Sequence, residues 1–350
     1  MSRKPSRARL VNALLVALAL GLLAWTIWSN RLTIQDVLDR RPDPWLFLLG
    51  FALYMTGLIS TFIRWRLLVR ALGLPFPVRT ALRLGFIGNV FNLVIPGAVG
   101  GDLIKAAYLF REFPRKKTQA GGSIAIDRII GLLGLFLLGA LAGLAGWQSA
   151  GRDLRTLIAL VWCAAVGGIV GLAVVFTPAL YRPFVRWSSG RGRLETLLVE
   201  LVAMASVFRG RVGTLVVALV FAMSNHTLNI IAFYLVGQAM FHGEAPTLGQ
   251  HFLTVPLVLF TTAVPLPFGA LGLTELVSQG LFTLVGQPDG AVGMMGFRLL
   301  MYGGGLISVA VYLLNLRQVR TLEAEAEEVQ DELDTVAAPS TDRGESSVPA

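Results

Sequence analysis

Charged residues and cysteine are both scarce in this 350-residue sequence. Only 15% of the residues are charged, against 55% that are apolar, and the mean hydropathy is +0.67, so most of the chain is not a soluble domain. The one cysteine, Cys163, lies in an apolar run, which excludes a disulfide framework and a cysteine-based metal site. A nucleic-acid-binding protein needs a soluble basic fold, which this composition does not provide.

Long apolar runs are what the sequence has instead. Six runs of about 20 residues are long enough to cross a bilayer, at 10–29, 44–63, 121–147, 156–176, 213–237 and 291–314. The first follows four basic residues but ends in Trp25-Thr26-Ile27-Trp28 without a small-residue cleavage site, so it predicts an uncleaved anchor. The sequence therefore predicts an all-α polytopic membrane protein.

The net charge of +9 combines two opposite populations. Residues 321–350 hold nine acidic residues and one basic residue, which leaves a charge of +17 on residues 1–320. Basic loops stay on the cytoplasmic side of a membrane, which places these segments inside: the N-terminus 1–9, 64–83, 105–120, 177–212 and the C-terminal tail. We therefore expect a multi-pass protein of the inner (plasma) membrane with both termini cytoplasmic and an acidic, partly disordered tail at 316–350.

Two apolar segments are interrupted in the same way, about 171 positions apart. The first is FNLVIPGAVGGD, residues 91–102, and the second is TAVPLPFGALGLTE, residues 262–275. Matching positions carry matching residue types: Pro96 and Pro267, Gly101 and Gly272, Asp102 and Glu275, and further on Arg128 and Arg298. Interruptions by proline and glycine at corresponding positions of two halves are the best sequence-level pointer to a transport site.

The loop orientation makes the two interrupted segments enter from opposite faces. Segment 84–104 begins and ends inside, whereas segment 250–285 begins and ends outside, so each predicts a re-entrant hairpin. The halves 84–147 and 250–314 then form an inverted repeat, which many secondary transporters use for alternating access. Within a transmembrane domain of residues 10–315, we expect six full spans plus two broken re-entrant hairpins.

Residues near the interruptions are the candidate binding residues. Backbone that leaves the helix at membrane depth must be buried in protein or line a wet cavity, and a helix N-terminus there suits a phosphate or carboxylate. The predicted substrate-binding residues are Asn92, Pro96, Gly97, Gly100, Gly101, Asp102, Asp127, Arg128, Pro267, Gly269, Gly272, Glu275 and Arg298.

The charged members of this set have alternative roles. Asp102 and Glu275 either cap helix N-termini or carry protons and hold a head group. Asp127 and Arg128 either form a structural ion pair with each other or grip the substrate. Arg298 has no acidic neighbour in sequence, so we expect it to pair across the repeat with Asp102 or Asp127, or to bind an anionic lipid head group.

Two weaker patterns have structural explanations. The polar cluster Ser224, Asn225, His226 and Asn229 is more typical of interhelical hydrogen bonding than of a ligand site. Asp36 and Asp39 have a DxxD spacing that can hold a metal in phosphate chemistry, but helix capping explains it more simply. We therefore predict neither a metal nor a cofactor.

The two interrupted segments resemble those of a known membrane-protein family. The segment FNLVIPGAVGGDLIKAAYLF resembles the first hallmark of the flippase-like family found as the transmembrane region of lysylphosphatidylglycerol synthases, and PLPFGALGLTE resembles its second. Arg64-Trp65 and Ile126-Asp127-Arg128 also fit, and the resemblance covers about residues 10–315. Phe268 and Gly269 stand where the second hallmark commonly has two glycines. Because the chain ends about 35 residues after its last span, we expect no aminoacyl-transferase domain of the kind that bifunctional synthases carry.

The resemblance implies movement of a lipid between leaflets, such as an aminoacylated phospholipid or a polyprenyl-linked sugar. The sequence has no ATP-binding motif, so such a translocase would run downhill or on an ion or proton gradient. Its partners would be membrane lipids, with the head group of the lipid as substrate. The alternatives are an intramembrane enzyme of polyprenyl- or glycerol-phosphate lipids and a scaffold for an envelope glycosyltransferase. No catalytic constellation is recognised, so we expect a transporter rather than an enzyme.

Overall fold

The computed structural model describes residues 31–39, 41–94, 100–148, 150–189, 206–241, 245–264 and 266–317, with a few residues of 21–29 and 199–203. The predicted N-terminal anchor lies largely outside these residues, and the acidic tail lies outside them beyond residue 317.

The described residues fold into α-helices joined by short turns. The first half contains α1 (Arg31–Asp39), α2 (Pro44–Ala71), α3 (Val78–Val94), α4 (Gly100–Glu112) and α5 (Lys117–Gly146). The remainder contains α6 (Arg152–Phe176), α7 (Pro178–Ser188), α8 (Val212–Phe241), α9 (Leu248–Phe260), α10 (Leu273–Thr283) and α11 (Gly290–Leu314).

Five of these helices are long and apolar enough to cross a membrane: α2, α5 with the short 3-10 turn before it, α6, α8 and α11. They correspond to five of the six predicted spans, and the sixth is the N-terminal anchor. The prediction of an all-α polytopic membrane protein is confirmed for the described residues.

Local chemistry sets the bounds of α2 and corrects the assignment of the basic residues. Asp43 caps its N-terminus by accepting a hydrogen bond from the Trp45 N–H at 2.8 Å, and Pro44 follows at the first helical position. The helix continues to Ala71, so Arg64 lies on a helix and not in the predicted loop 64–83. Lys105, assigned to the loop 105–120, lies on α4 for the same reason.

Helices α2 and α8 form the centre of the molecule and run antiparallel. A Cβ at Gly50 would lie 3.3 Å from the Ala232 carbonyl oxygen, and one at Gly57 would lie 2.9 Å from Asn225 Oδ1. Advancing along α2 therefore means moving backwards along α8. The two glycines allow the backbones to approach closely, as small residues do at contacts between membrane helices.

The remaining helices pack around this pair in a reciprocal pattern. Helix α3 packs against α4, and α9 packs against α10, so each interrupted segment forms a helix pair. In addition, α3 packs against α11 of the second half, while α9 packs against α5 of the first half. The helix pair of each half is therefore covered by a long helix of the other half: α11 covers α3, and α5 covers α9.

Two apolar cores lie at opposite ends of α8. One surrounds Trp65 and Ile104 near the start of α8, and the other surrounds Phe233, Phe282 and Phe297 near its end.

Candidate functional site

A cavity of about 390 Å³ opens between the two halves. Four of the predicted site residues line it: Asn92, Asp102, Asp127 and Arg128. Its volume is within the range of small-molecule sites, about 300–1,000 Å³. Apolar residues of both halves, including Leu132, Leu135, Leu259, Phe260, Phe297 and Met301, form the rest of the wall.

The open ion pair of the cavity is formed by Asp102 and Arg128. Asp102 lies in the first turn of α4, accepts a hydrogen bond from Arg128 Nε, and lies 3.5 Å from Lys105 Nζ. Lys105 also lies over the Trp65 ring, with Nζ 4.9 Å from the ring centroid. The Arg128 side chain remains 40% exposed and lines the cavity.

Asn92 and two glycines hold the interrupted end of the first hairpin. Asn92 Oδ1 accepts a hydrogen bond from the Gly101 N–H at 2.8 Å, which satisfies a donor at the start of α4. A Cβ at Gly101 would lie 2.5 Å from the Gly88 carbonyl oxygen, closer than any real contact of this kind. Gly100 and Gly101 are both buried, and the absence of a side chain at Gly101 allows α3 and α4 to approach closely beside Asp102.

The ion pair between Asp127 and Arg128, one of the two roles expected for these residues, is not formed. Asp127 instead accepts a hydrogen bond from Arg64 Nε of α2 at 2.7 Å, and its carbonyl oxygen accepts another from Arg64 Nη2 at 3.3 Å. Successive helical residues point about 100° apart, so neighbours in sequence rarely face each other. The Arg64–Asp127 pair is buried and joins α2 to α5.

Arg298 does not pair with Asp102 or Asp127, the two protein partners expected for it. Its guanidinium group pairs with Glu275 of its own half and donates to the Phe268 carbonyl oxygen at 2.7 Å. A further hydrogen bond goes to the Thr274 hydroxyl. The Arg298 side chain is 4% exposed and the Glu275 side chain is fully buried, so this pair does not line the cavity.

Glu275 caps the helix as well as pairing with Arg298. Its Oε2 accepts a hydrogen bond from the Gly272 N–H at 2.7 Å, in the position that a capping carboxylate takes at the start of α10. The capping role predicted as one alternative for Glu275 is therefore present. Asp102, its counterpart in the first half, is held by side-chain cations.

A left-handed turn precedes α10. Phe268, Gly269 and Ala270 have φ of 58°, 67° and 53°, and Gly272 has φ of 82°. Left-handed conformations are costly for residues with a Cβ, so Phe268 and Ala270 are strained here. The positive φ at Phe268 explains why glycine is the commoner residue at this position of the hallmark. Arg298 donates to the carbonyl oxygen of this same Phe268.

Three polar residues of α8 form a neutral wall of the cavity. His226 Nε2 lies 3.0 Å from the Gly131 carbonyl oxygen of α5, which is the interhelical hydrogen bond predicted for this cluster. Asn229 Nδ2 bonds within its own helix, to the carbonyl and side-chain oxygens of Asn225. All three side chains line the cavity.

Some predicted residues are not brought to the cavity. Pro96 and Gly97 belong to residues 95–99, which lie outside the described part of the chain. Pro267 begins the left-handed turn, and Gly269 and Gly272 support the buried Arg298–Glu275 pair. Among the described residues, no group of three histidine, cysteine or acidic side chains could hold a metal ion.

Sequence reasoning missed two cations of the cavity. Arg64 and Lys105 were counted as loop charges, yet both line the cavity from α2 and α4. An arginine at the end of an apolar run and a lysine three residues after the aspartate of the interruption were the available signals. With Arg128 they make three cationic lining residues against two anionic ones, Asp102 and Asp127.

The comparisons with known proteins agree with this architecture. A search of curated proteins found no match to the chain. A family model described as the lysylphosphatidylglycerol synthase TM region matches residues 11–318, which include both helix pairs and the whole cavity. The chain belongs to this family of lysylphosphatidylglycerol synthase transmembrane regions.

Proposed function

We propose that this protein is a translocase that moves a phospholipid or a polyprenyl-linked glycolipid between the leaflets of the inner membrane. Membership of a family named for the membrane region of a lipid synthase supports a lipid substrate. The cavity offers cations for the head group, and its apolar wall suits the first carbons of the lipid chains. The long chains would remain in the bilayer.

The observation that carries the proposal is the unequal exposure of two equivalent ion pairs. Asp102–Arg128 and Glu275–Arg298 occupy matching positions of the two halves, yet the first arginine is 40% exposed and the second is 4% exposed. A carrier that opens to one side at a time needs equivalent sites in different states. In this conformation the Asp102–Arg128 pair lines the cavity, whereas the Glu275–Arg298 pair is buried away from it.

The packing pattern supports an inverted repeat. The antiparallel pair α2 and α8, and the exchange of neighbours between the two hairpins, are what a two-fold relation between the halves would produce. Together with the loop charges, this favours cytoplasmic termini and hairpins that enter from opposite faces. Transport would be downhill or driven by an ion or proton gradient.

The experiment is leaflet exchange in reconstituted vesicles. A phospholipid whose label reports its leaflet is followed with wild-type protein and with the Asp102→Asn and Arg128→Gln variants. We expect both variants to slow exchange about tenfold or more. Arg128→Gln removes a charge-assisted contact to the head group, and Asp102→Asn removes the carboxylate that positions Arg128 and Lys105.

Arg79→Gln is the matched control, because Arg79 is an exposed arginine of α3 outside the cavity. It should exchange lipid at the wild-type rate. Absence of wild-type exchange, or exchange at the wild-type rate in both cavity variants, would contradict the proposal. Turnover of the lipid in detergent, where no leaflets exist, would indicate an enzyme instead.

A further inference from the structure

One end of the molecule is strongly basic. The ends of α2, α4 and α6 and the starts of α3, α5 and α8 pack there around the apolar core of Trp65 and Ile104. The exposed cations of this end, which we call the basic surface, are Arg70, Arg79, Arg111, Arg115, Lys116, Lys117, Arg182, Arg186, Arg209 and Arg211. Among the described residues of this end, Glu112 is the one exposed carboxylate. The opposite end is mixed, with Arg31, Arg41, Arg152 and Arg155 together with Asp36, Asp39, Asp43, Asp153 and Asp289.

Helix α11 brings an acidic segment of the chain to this same end. Val311 and Tyr312, in the last turn of α11, pack against the core beneath the basic surface. The segment TLEAEAEEVQDELD, residues 321–334, lies outside the described residues and contains seven acidic residues and no basic residue. Glu323 is six positions after Arg317, and an extended chain of that length spans about 20 Å. The acidic segment therefore begins within reach of the basic surface.

The apolar residues of this segment recur at helical spacing. The larger apolar side chains and one alanine follow one another at intervals of four, three and four residues, at Leu322, Ala326, Val329 and Leu333. The carboxylates lie at the positions between them, so the sequence predicts an amphipathic acidic helix. Twelve helical residues, 323–334, are about 18 Å long, which is about twice the 8–10 Å between the axes of packed helices. Such a helix can lie across the ends of neighbouring helices.

Charge determines which surface can hold this segment. Pairing with the same segment of a second copy brings like charges together, which is destabilising. A bilayer surface that contains anionic lipids repels it for the same reason. The basic surface has the opposite charge and belongs to the same chain, so the tether provides an effective concentration of about a millimolar. The charges therefore favour an intramolecular contact.

Three consecutive cations of the basic surface are best placed to hold the segment. Arg115, Lys116 and Lys117 lie between α4 and α5, where Pro114 begins a short 3-10 helix, and all three are exposed. Helix α3 packs against both α11 and α4, so a single helix separates α4 from α11. Neighbouring like charges repel one another, and a carboxylate placed against them relieves that repulsion.

We propose that residues 323–334 dock on the basic surface, with their carboxylates against Arg115, Lys116 and Lys117. The contact forms within one chain and does not require that the protein moves lipids. It neutralises a part of the basic surface that otherwise attracts anionic lipid head groups. Helix α4, which leads to these three cations, also carries Asp102 and Lys105 of the cavity, so the docked segment lies against the first helix pair.

Cross-linking within the full chain tests this contact. In a Cys163→Ser background, cysteines are placed by Thr118→Cys, an exposed position beside the three cations, and by Ala324→Cys in the acidic segment. The purified protein in a neutral detergent is treated with a short bis-maleimide, and mobility on a denaturing gel separates links within one chain from links between chains. We expect rapid linking within one chain. Raising the salt from about 50 mM to about 500 mM should slow it about fivefold, because exposed charges are screened.

Two triple variants separate this site from a general attraction to the basic surface. The combination Arg115→Gln, Lys116→Gln, Lys117→Gln should slow the linking about tenfold, because three exposed ion pairs are lost. The matched control removes the same charge from the same end of the molecule and should change the rate by less than about twofold. It combines Arg182→Gln, Arg186→Gln and Arg211→Gln, three exposed positions.

A charge reversal shows whether the two groups touch. Arg115→Glu, Lys116→Glu, Lys117→Glu should abolish rapid linking. Reversing acidic residues of the segment in the same chain should return the rate to within about threefold of its starting value, because the opposite charges then face each other again. The reversed residues are Glu327→Lys, Glu328→Lys and Asp331→Lys.

Rescue by the reversed segment also shows that the reversed turn is still folded. Equal slowing by both glutamine variants, an unchanged rate in both, or links that form between chains would overturn the docking site. The linking is finally repeated in phosphatidylcholine vesicles with and without phosphatidylglycerol. Rapid linking in both supports the contact, whereas its loss with phosphatidylglycerol would assign the basic surface to lipid head groups instead.

Discussion

The two matched arginines have different surroundings, and this decides what each can do. Arg298 is enclosed by Glu275, the Thr274 hydroxyl and the Phe268 carbonyl oxygen. Removing one partner of such a pair leaves a buried charge uncompensated. The Arg128 side chain pairs with Asp102 and is 40% exposed. Arg298 therefore stabilises the fold, whereas Arg128 lines the cavity.

A stability measurement separates these roles. We expect Glu275→Gln to destabilise the protein by about 3–5 kcal/mol, because Arg298 then stays buried without its counter-ion. Arg128→Gln should change stability by no more than about 1 kcal/mol, since its side chain remains in contact with solvent in the cavity. Thermal unfolding of the purified protein in detergent gives both values.

The double variant Glu275→Gln, Arg298→Met is the control for this comparison. It should be more stable than the sum of the single variants predicts, because the two side chains contact each other. Equal destabilisation by Glu275→Gln and Arg128→Gln would contradict the prediction that only the buried ion pair stabilises the fold.

Composition and motif spacing were enough to predict which residues matter, but not which residues pair. The interruptions, the carboxylates after them and the arginines downstream could all be found by matching the two halves. The partner of Asp127 is 63 positions away on α2, and helix rotation decides that contact. Sequence order favours Arg128 as the neighbour of Asp127, whereas the geometry of a helix turns the two side chains in different directions.

At the scale of one element, the start of α10 depends on glycine. Gly272 has φ of 82° and ψ of −44°, which is unfavourable for any residue with a Cβ, and its N–H is held by Glu275. The turn before it already contains two strained residues, Phe268 and Ala270. Because the Gly272 N–H donates to Glu275, we expect further strain at Gly272 to disturb the contact between Glu275 and Arg298.

We expect Gly272→Ala to destabilise the protein by about 1–3 kcal/mol through backbone strain alone. Gly280→Ala is the matched control on the same helix, because a Cβ there would meet no atom within 4 Å. That change should be neutral or stabilising by up to about 1 kcal/mol, since alanine is the better helix former. Similar unfolding temperatures for the two variants would mean that Gly272 does not need its positive φ.

At the scale of the molecule, the two halves are organised around each other. Five of the predicted spans were correct because twenty apolar residues have few alternatives to a membrane helix. The exchange of neighbours, α3 with α11 and α9 with α5, could not be read from the sequence. Which helices pack together depends on the shapes of their apolar faces. Hydropathy measures how apolar a face is, and does not describe its shape.

Labelling from one side of the membrane tests the inverted arrangement. In a Cys163→Ser background, we place single cysteines at Glu112 and Thr283, which are exposed residues at the far ends of α4 and α10. A membrane-impermeant maleimide added to intact cells should label Thr283→Cys and spare Glu112→Cys until the membrane is opened. Labelling of both positions from one face would rule out hairpins that enter from opposite sides.

The hydrogen bond from Asn89 Nδ2 to Ser308 Oγ, at 3.0 Å, joins α3 to α11 across 219 positions of the chain. A nascent polypeptide is made from its amino end, so the amide of Asn89 reaches the bilayer long before its hydroxyl partner has left the ribosome. Until then this polar group must stay beside water, the translocation machinery or a temporary neighbour, because hydrocarbon offers it no substitute. The contact between α3 and α11 therefore waits for α11, the last helix that the structure describes, to be synthesised.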